Sequence, residues 1–137
     1  MTYLIDTYVI SELTRKRPSQ RVVDWLDEVP ADRIHVSVLT LGELRKGVAG
    51  LPAGAQRDRI GAWLDVDLPA WFEDRVLSID GDVADVWGRM LTQTGRPVGA
   101  VDSLIAATAL RHGLRVVTRN TAAFRFLGLA VENPWEA

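Results

Sequence analysis

The chain has 137 residues, and its shares of hydrophobic residues (47%) and charged residues (25%) are close to the globular average. These shares exclude intrinsic disorder as the main state and predict one domain over residues 1–137. The sequence contains no cysteine, which excludes a disulfide scaffold and a thiolate zinc site, and its formal net charge of −2 argues against holding nucleic acid by bulk electrostatics.

The sequence lacks the long apolar run of a membrane protein. No segment approaches the roughly 20 apolar residues that span a bilayer. Asp6 interrupts the apolar stretch near the start of the chain, which is unlike a signal peptide. We therefore expect a soluble cytoplasmic enzyme or binding module that makes no membrane contact.

Short apolar segments and segments with helical spacing alternate along the chain. The predicted strands are residues 3–5, 34–36, 76–79, 115–118 and 130–131. The predicted helices are residues 7–14, 21–28, 39–48, 56–66, 83–91 and 101–112. Ser37 and Asp80 are predicted helix caps, Pro69 is expected to open a short turn, and Gly113 is expected to end the last helix.

Strands that alternate with helices in this way favour βαβ units. The sequence therefore predicts an α/β protein, a three-layer α/β/α sandwich whose central, mostly parallel sheet has about four or five strands. In such a sheet, functional groups gather beyond the carboxyl ends of the strands. Acidic residues near those ends are therefore the first candidates for a functional site.

Four polar residues from separate segments are predicted to converge at one end of the sheet. Asp6 follows the first strand directly, and Asn120 follows the fourth. Asp102 lies in the first turn of the last predicted helix, where the helix dipole favours a carboxylate. Glu43 lies within the helix after the second strand, on the face predicted to meet the core.

Each of these residues also has an ordinary structural explanation. Asp6 alone would be read as a helix cap, Glu43 as a solvated helix residue and Asn120 as a turn residue. The functional hypothesis depends on their joint placement, because carboxylates brought together repel one another unless a cation neutralises them. A cluster of oxygen ligands without histidine or cysteine suits a hard ion such as Mg²⁺ or Mn²⁺.

Several segments resemble the motifs of PIN-domain ribonucleases, in particular the VapC toxins of type II toxin–antitoxin systems. Residues 4–12, which read LIDTYVISE, are similar to the first motif of that family. The second and third motifs are resembled by residues 41–47 (LGELRKG) and 98–109 (VGAVDSLIAATA). The C-terminal segment of the family is resembled by residues 117–120 (VTRN) and 131–135 (VENPW).

The resemblance implies a PIN-like fold and hydrolysis of RNA phosphodiester bonds with 3′-hydroxyl and 5′-phosphate products. It places Asp6, Asp102 and Glu43 around Mg²⁺, or Mn²⁺, with Glu43 as a ligand or as the base. Asn120 stands where many members carry a fourth acid, and it would orient water or phosphate together with Thr118. Tyr8 stands where the family usually has asparagine, so turnover is expected to be reduced.

The resemblance also implies partners. These are an RNA substrate such as transfer or ribosomal RNA, a VapB-like antitoxin and a second copy of the chain in a homodimer. Thr118, Arg119 and Arg45 are candidate RNA contacts, while Trp25 is the first candidate for the antitoxin contact. No aromatic platform for stacking unpaired bases is evident in the sequence.

Two alternative functions remain open from the residues. The first is a catalytically impaired module of the same fold that only binds RNA or protein, with Tyr8 and Asn120 marking the damaged site. The second is a phosphatase of the haloacid dehalogenase type, which also places an aspartate after the first strand. That chemistry needs a second aspartate two residues later, where this chain has Tyr8.

Overall fold

Five short strands form the central sheet of the computed structural model, which describes residues 1–136. In chain order they are β1 Tyr3–Ile5, β2 Ile34–Ser37, β3 Val76–Leu77, β4 Arg115–Val117 and β5 Val131–Glu132. Their order across the sheet is β3-β2-β1-β4-β5, and every neighbouring pair is parallel. The predicted domain over residues 1–137 also includes Ala137, which lies outside the described residues.

Seven α-helices connect these strands in the described part of the chain. They are α1 Thr7–Glu12, α2 Gln20–Glu28, α3 Val38–Ala49, α4 Ala55–Ala62, α5 Leu68–Phe72, α6 Gly81–Gln93 and α7 Ala100–His112. A π-helical segment, Trp63–Asp67, joins α4 to α5. Within residues 1–136, no helix is long and apolar enough to cross a membrane.

The sheet carries a hydrophobic core on each face. Successive strand side chains point to opposite faces, so Ile5 packs in one core and Leu4 in the other. The core around Ile5 contains buried residues of α1, α2, α3 and α5, such as Phe72, whereas the core around Leu4 contains residues of α6 and α7, such as Ile105. This arrangement confirms the predicted three-layer α/β/α sandwich, with a sheet that is entirely parallel.

The predicted helix caps are confirmed. The side chains of Ser37 and Asp80 accept hydrogen bonds from the backbone N–H groups of Leu39 (3.1 Å) and Val83 (2.9 Å), which satisfies donors at the starts of α3 and α6. Gly113 ends α7 in the left-handed conformation (φ 68°), which glycine adopts without a steric penalty.

The prediction that the helix at 56–66 ends before a turn at Pro69 is wrong. The backbone N–H of Leu68 donates to the carbonyl of Trp63, five residues earlier, and a new helix begins at Leu68. Pro69 therefore lies in a first turn, where its missing N–H is not needed. The chain stays helical until Glu73, whose φ is 54°.

Some predicted element ends also differ from the structure. The strand predicted at 76–79 covers only Val76–Leu77, because only two of its residues pair with β2. The first helix ends at Glu12 instead of at residue 14. Element ends are set by hydrogen bonds that the hydrophobic pattern does not record.

Candidate active site

The candidate site lies beyond the carboxyl ends of β1 and β4. The chain runs from β1 to β2 and β3 on one side of the sheet, and β4 and β5 lie on the other side. This reversal creates the crevice in which parallel α/β proteins bind ligands. Asp6 follows β1, Thr118 follows β4, and the backbone N–H of Asp6 donates to the carbonyl of Val117 at 3.0 Å.

Asp6 is fixed at this point by two hydrogen bonds. Its Oδ1 accepts from the backbone N–H of Val9 at 3.2 Å, which makes Asp6 the N-cap of α1. Its Oδ2 accepts from the hydroxyl of Thr118. Thr118 Oγ1 in turn accepts from the backbone N–H of Asn120 at 3.0 Å. The loop after β4 therefore orients the carboxylate at the end of β1.

Asp6 is only 3% exposed, and this burial disfavours its ionised form. Burial raises the pKa of Asp6 to about 6, although the hydrogen bonds from Thr118 and from the backbone of Val9 and Tyr8 act in the opposite direction. The charge of Asp102 adds a smaller upward shift to the pKa of Asp6. A positive charge near Asp6 would therefore stabilise its carboxylate at neutral pH.

Asp102 and Glu43 approach the same space from helices on opposite faces of the sheet. Asp102 is in the first turn of α7, and Glu43 is in α3. Partial burial, and then the charge of Glu43, raise the pKa of Asp102. Glu43 Oε1 accepts a hydrogen bond from Thr7 Oγ1 at 2.5 Å, which connects α3 to the start of α1.

The three carboxylates line one open cavity of about 580 Å³. We call it the acid cavity, defined by Asp6, Glu43 and Asp102. Its wall also includes Thr7, Tyr8, Ser11 and Lys46. A cavity of this size is within the range of small-molecule sites (~300–1,000 Å³). The three acids therefore lie in the wall of one cavity.

The family described as PIN domain matches residues 3–127 of the chain. The chain belongs to the PIN-domain family. It is 38% identical to the toxin FitB of Neisseria gonorrhoeae, across 96% of this chain and 97% of FitB. It is also 37% identical to the VapC ribonuclease Y4jK of Sinorhizobium fredii, across 97% of each chain.

A solved structure supports the same assignment. The crystal structure of FitAcB from Neisseria gonorrhoeae superimposes on this chain with a TM-score of 0.93 and 37% sequence identity. The match covers 99% of this chain and 100% of the FitAcB chain. These matches confirm the resemblance to VapC-type PIN domains and extend it beyond the short motifs to the whole fold.

The donor atoms of this PIN domain fit a hard divalent cation. Every acidic group of the acid cavity offers oxygen, the ligand type that Mg²⁺ and Mn²⁺ prefer. Within residues 1–136, no three acidic side chains lie close enough together to hold a metal ion in their present positions. Glu43 is exposed and Asp102 is only half-buried. Burial raises the pKa of Asp102, and repulsion from the carboxylate of Glu43 raises it further. A bound cation would relieve this repulsion.

The sequence predicted that Glu43 lies on the core-facing side of α3, and this prediction is wrong. Its side chain is exposed, while Leu44 and Val48 bury the inner face of the helix. It enters the site from the solvent side, where Thr7 holds it. The helical period predicts Glu43 close to the core-facing residues of α3. It does not show that the side of α3 that carries Glu43 lies next to α1.

Asn120 and Thr118 do not form part of the wall of the acid cavity. Asn120 is exposed, and its contact with the network is made by its backbone N–H and not by its carboxamide. Thr118 is fully buried and donates to Asp6, so direct contact with RNA is excluded. Its effect on the site is transmitted through Asp6.

Two predicted contact residues are engaged elsewhere. Arg45 forms an ion pair with Asp65, outside the acid cavity, so the prediction that it contacts RNA is not supported by its position. The guanidinium of Arg119 lies 5.6 Å from the ring centroid of Trp135 and remains exposed.

Sequence reasoning missed Thr7 and Lys46 as residues of this site. Thr7 follows Asp6 directly, and Lys46 is one helical turn after Glu43. A signal was available for Lys46, because residues three apart on a helix share a face.

The burial of Asp6 leads to a prediction about stability. The folded pKa of about 6 lies above the ordinary value of 3.8, so the folded state binds the proton more tightly than the unfolded state. The contribution of Asp6 to stability should therefore be fully present below pH 4 and should be lost as the pH rises to about 6, a change of about 3 kcal/mol. Asp6→Asn keeps the cap and removes this cost, so we expect the variant to be up to about 3 kcal/mol more stable than the wild type at pH 7.5 without metal.

Urea unfolding in EDTA at pH 7.5 and pH 4.5 measures this difference. The gain should shrink towards pH 4.5, where the folded wild type is already protonated at Asp6. Asp85→Asn is the matched control, because Asp85 is exposed on α6, and it should change stability by less than about 0.5 kcal/mol at either pH. An Asp6→Asn variant that is less stable than the wild type at pH 7.5 contradicts the prediction.

Proposed function

We propose that this chain is a metal-dependent endoribonuclease and acts as the toxin of a toxin–antitoxin pair. The observation that carries the proposal is the acid cavity, in which carboxylates from three separate segments face one space at the reversal point of a parallel sheet. The names of its relatives, a toxin and a VapC ribonuclease, support the same activity. With RNA as its substrate, the chain would act in the cytoplasm.

Asp6 and Asp102 would hold the metal ion, with Glu43 as a third ligand or as the base. Mg²⁺ is the expected ion and Mn²⁺ the alternative, since the donors are all oxygen. When bound, such an ion polarises the phosphoryl oxygen and lowers the pKa of a nearby water. The raised pKa of Asp102, caused first by burial and then by the charge of Glu43, supports this assignment, because a cation would stabilise the Asp102 carboxylate.

Residues of the chain would carry out the other parts of the hydrolysis. Water attacks phosphorus, the bond to the 3′ oxygen breaks, and the products carry a 3′-hydroxyl and a 5′-phosphate. Glu43, exposed and oriented by Thr7, is placed to take the proton of the attacking water. Thr118 keeps the carboxylate of Asp6 aimed at the cavity. Arg119, the exposed cation after Thr118, is the remaining candidate for a backbone phosphate contact.

We also propose that the partner is a VapB-like antitoxin and that the chain forms a homodimer. An apolar groove of about 340 Å³ between α1, α2 and α5 is a suitable surface for an amphipathic antitoxin helix. Leu13 and Trp71, each 42% exposed, lie in its wall. Trp25, the first candidate from sequence, is instead half-buried with its ring centroid 5.0 Å from that of Tyr3.

A second candidate function is a PIN domain that binds RNA or protein without cleaving it. The observation that favours it is Tyr8, which stands in the wall of the acid cavity where the family usually has asparagine. Asn120 also leaves the site without a fourth acid. The two functions are separated by whether purified protein cleaves RNA.

Substitution of the acids tests the nuclease proposal. Asp6→Asn, Glu43→Gln and Asp102→Asn should each lower Mg²⁺-dependent RNA cleavage by about a hundredfold or more, because each removes a charge from the acid cavity. Mapping of the RNA ends after incubation with purified protein measures the rate and identifies the product termini. Asp85→Asn, which lies outside the cavity, should cleave like the wild type. Full activity of Asp6→Asn would eliminate the proposed mechanism.

The pH dependence of metal use follows from the raised pKa of Asp6. A proton on Asp6 competes with the cation, so below about pH 6 each pH unit should raise the half-saturating Mg²⁺ concentration about tenfold. Between pH 7 and pH 8 the requirement should be nearly constant. Cleavage rates against Mg²⁺ concentration at pH 5, 6, 7 and 8 measure it, and an equal requirement at pH 5 and pH 8 would refute the assignment of Asp6.

Removal of the Thr118 hydroxyl tests its indirect role. Thr118→Val deletes the donor to Asp6, which should raise the pKa of Asp6 further and weaken Mg²⁺ binding about 10- to 100-fold. Calorimetric titration with Mg²⁺ measures the affinity. Thr92→Val, on the exposed side of α6, should bind Mg²⁺ like the wild type. Equal affinities for all three proteins would show that Thr118 does not support the site.

A further inference from the structure

Tyr8 is an exposed aromatic residue at the edge of the acid cavity. Its side chain is 53% exposed, whereas Val9 and Ile10, the next residues of α1, are buried. The backbone carbonyl of Tyr8 accepts from Ser11 Oγ at 3.3 Å, but within residues 1–136 the phenol forms no hydrogen bond. The first turn of α1 therefore presents a flat apolar ring to the space that holds the carboxylates.

Lys46 contributes the positive charge of the same wall. It lies one turn after Glu43 on α3, and no other lysine or arginine of the described residues lines the acid cavity. Its neighbour Arg45 is paired with Asp65, but among residues 1–136 Lys46 forms no ion pair. Its ammonium is therefore available to an anion that enters the cavity.

We propose that Tyr8 and Lys46 form a subsite for one unpaired RNA nucleotide, with the base stacked on the Tyr8 ring and the adjacent phosphate on the Lys46 ammonium. This inference rests on the proposed nuclease function and specifies its substrate as single-stranded RNA. A ring stacks on any base because every base has a π face, and a lysine binds phosphate as a point charge. The volume of about 580 Å³ accommodates a nucleotide beside the carboxylates.

The geometry favours an unpaired strand over a duplex. In a duplex, both faces of an internal base are covered by neighbouring bases, so the base cannot stack on Tyr8 without leaving the helix, which costs unstacking energy. An unpaired loop or strand offers its base at a lower cost. From the sequence, Tyr8 stands out only as a departure from the family motif, so no aromatic platform was expected there.

Binding measurements with a chain that does not cleave test this subsite. The Asp102→Asn protein is titrated, with Mg²⁺ present, against a fluorescent unpaired oligoribonucleotide of about eight nucleotides and against the same strand annealed to its complement. Fluorescence anisotropy gives the dissociation constants. We expect tighter binding of the unpaired strand, and we expect Tyr8→Ala to weaken that binding about 5- to 100-fold.

Two further variants separate stacking from charge. Tyr8→Phe keeps the ring and should bind within about twofold of the parent. Lys46→Gln should weaken binding and reduce the salt dependence of log Kd by about 0.7. Arg57→Gln is the matched control, since Arg57 is an exposed cation of α4 outside the acid cavity and should change neither quantity. Because Tyr8 is exposed, Tyr8→Ala should remain folded, which its thermal unfolding checks.

Cleavage by the wild-type chain is measured in parallel, so that the two proposals fail in different ways. If the wild type cleaves RNA with Mg²⁺ but Tyr8→Ala binds RNA normally, the subsite is rejected and the nuclease stands. If the wild type never cleaves, yet binding depends on Tyr8, the nuclease is rejected and the subsite stands. Equal affinity for the duplex and the unpaired strand rejects the preference for an unpaired base.

Discussion

The candidate site depends on the buried carboxylate of Asp6 at the end of the central strand. Burial opposes its charge, and the fold keeps it in place with one backbone N–H from α1 and one hydroxyl from Thr118. These hydrogen bonds offset only part of the desolvation, since the pKa still rises to about 6. The folded chain therefore holds a group whose ionised form is incompletely stabilised at neutral pH. A positive charge is the natural complement of such a group, and Glu43 and Asp102 line the same cavity as Asp6.

The order of the strands explains why residues so distant in sequence meet at this point. Because β1 is in the centre of a parallel sheet, helices from both faces begin near its carboxyl end. Glu43 comes from a helix of one face and Asp102 from a helix of the other, while Asp6 comes from the strand itself. Each hydrophobic core thus fixes one acid. A core substitution that shifts α3 or α7 would change the separation between carboxylates without touching any of them.

The sequence predicted the three layers, because the alternation of strands and helices is a local pattern. The carboxyl-end rule also led to the three acids as candidates, and their role in a site stays a prediction. It failed where a contact between distant segments decides the outcome. Pro69 was expected to open a short turn, but a shift of hydrogen-bond register in the preceding π-helical segment lets a new helix begin there. Thr118 was expected to contact RNA, but pairing of β4 with its neighbours buries it against Asp6. Arg45 was expected to face a phosphate, but Asp65, twenty residues later, binds it.

Three consecutive residues at the start of α1 form much of the site, and each has a different role. Asp6 turns inward as the cap of α1, Thr7 reaches across to Glu43 on α3, and Tyr8 faces outward into the cavity. Asp6 is the extended cap that precedes the helix, and Thr7 and Tyr8, as successive helical residues, point about 100° apart, so one short segment supplies a buried acid, a positioning hydroxyl and an exposed ring. The hydrophobic residues that follow, Val9 and Ile10, anchor the turn in the core. The precision of the site therefore comes from the packing of those two side chains as much as from its polar groups.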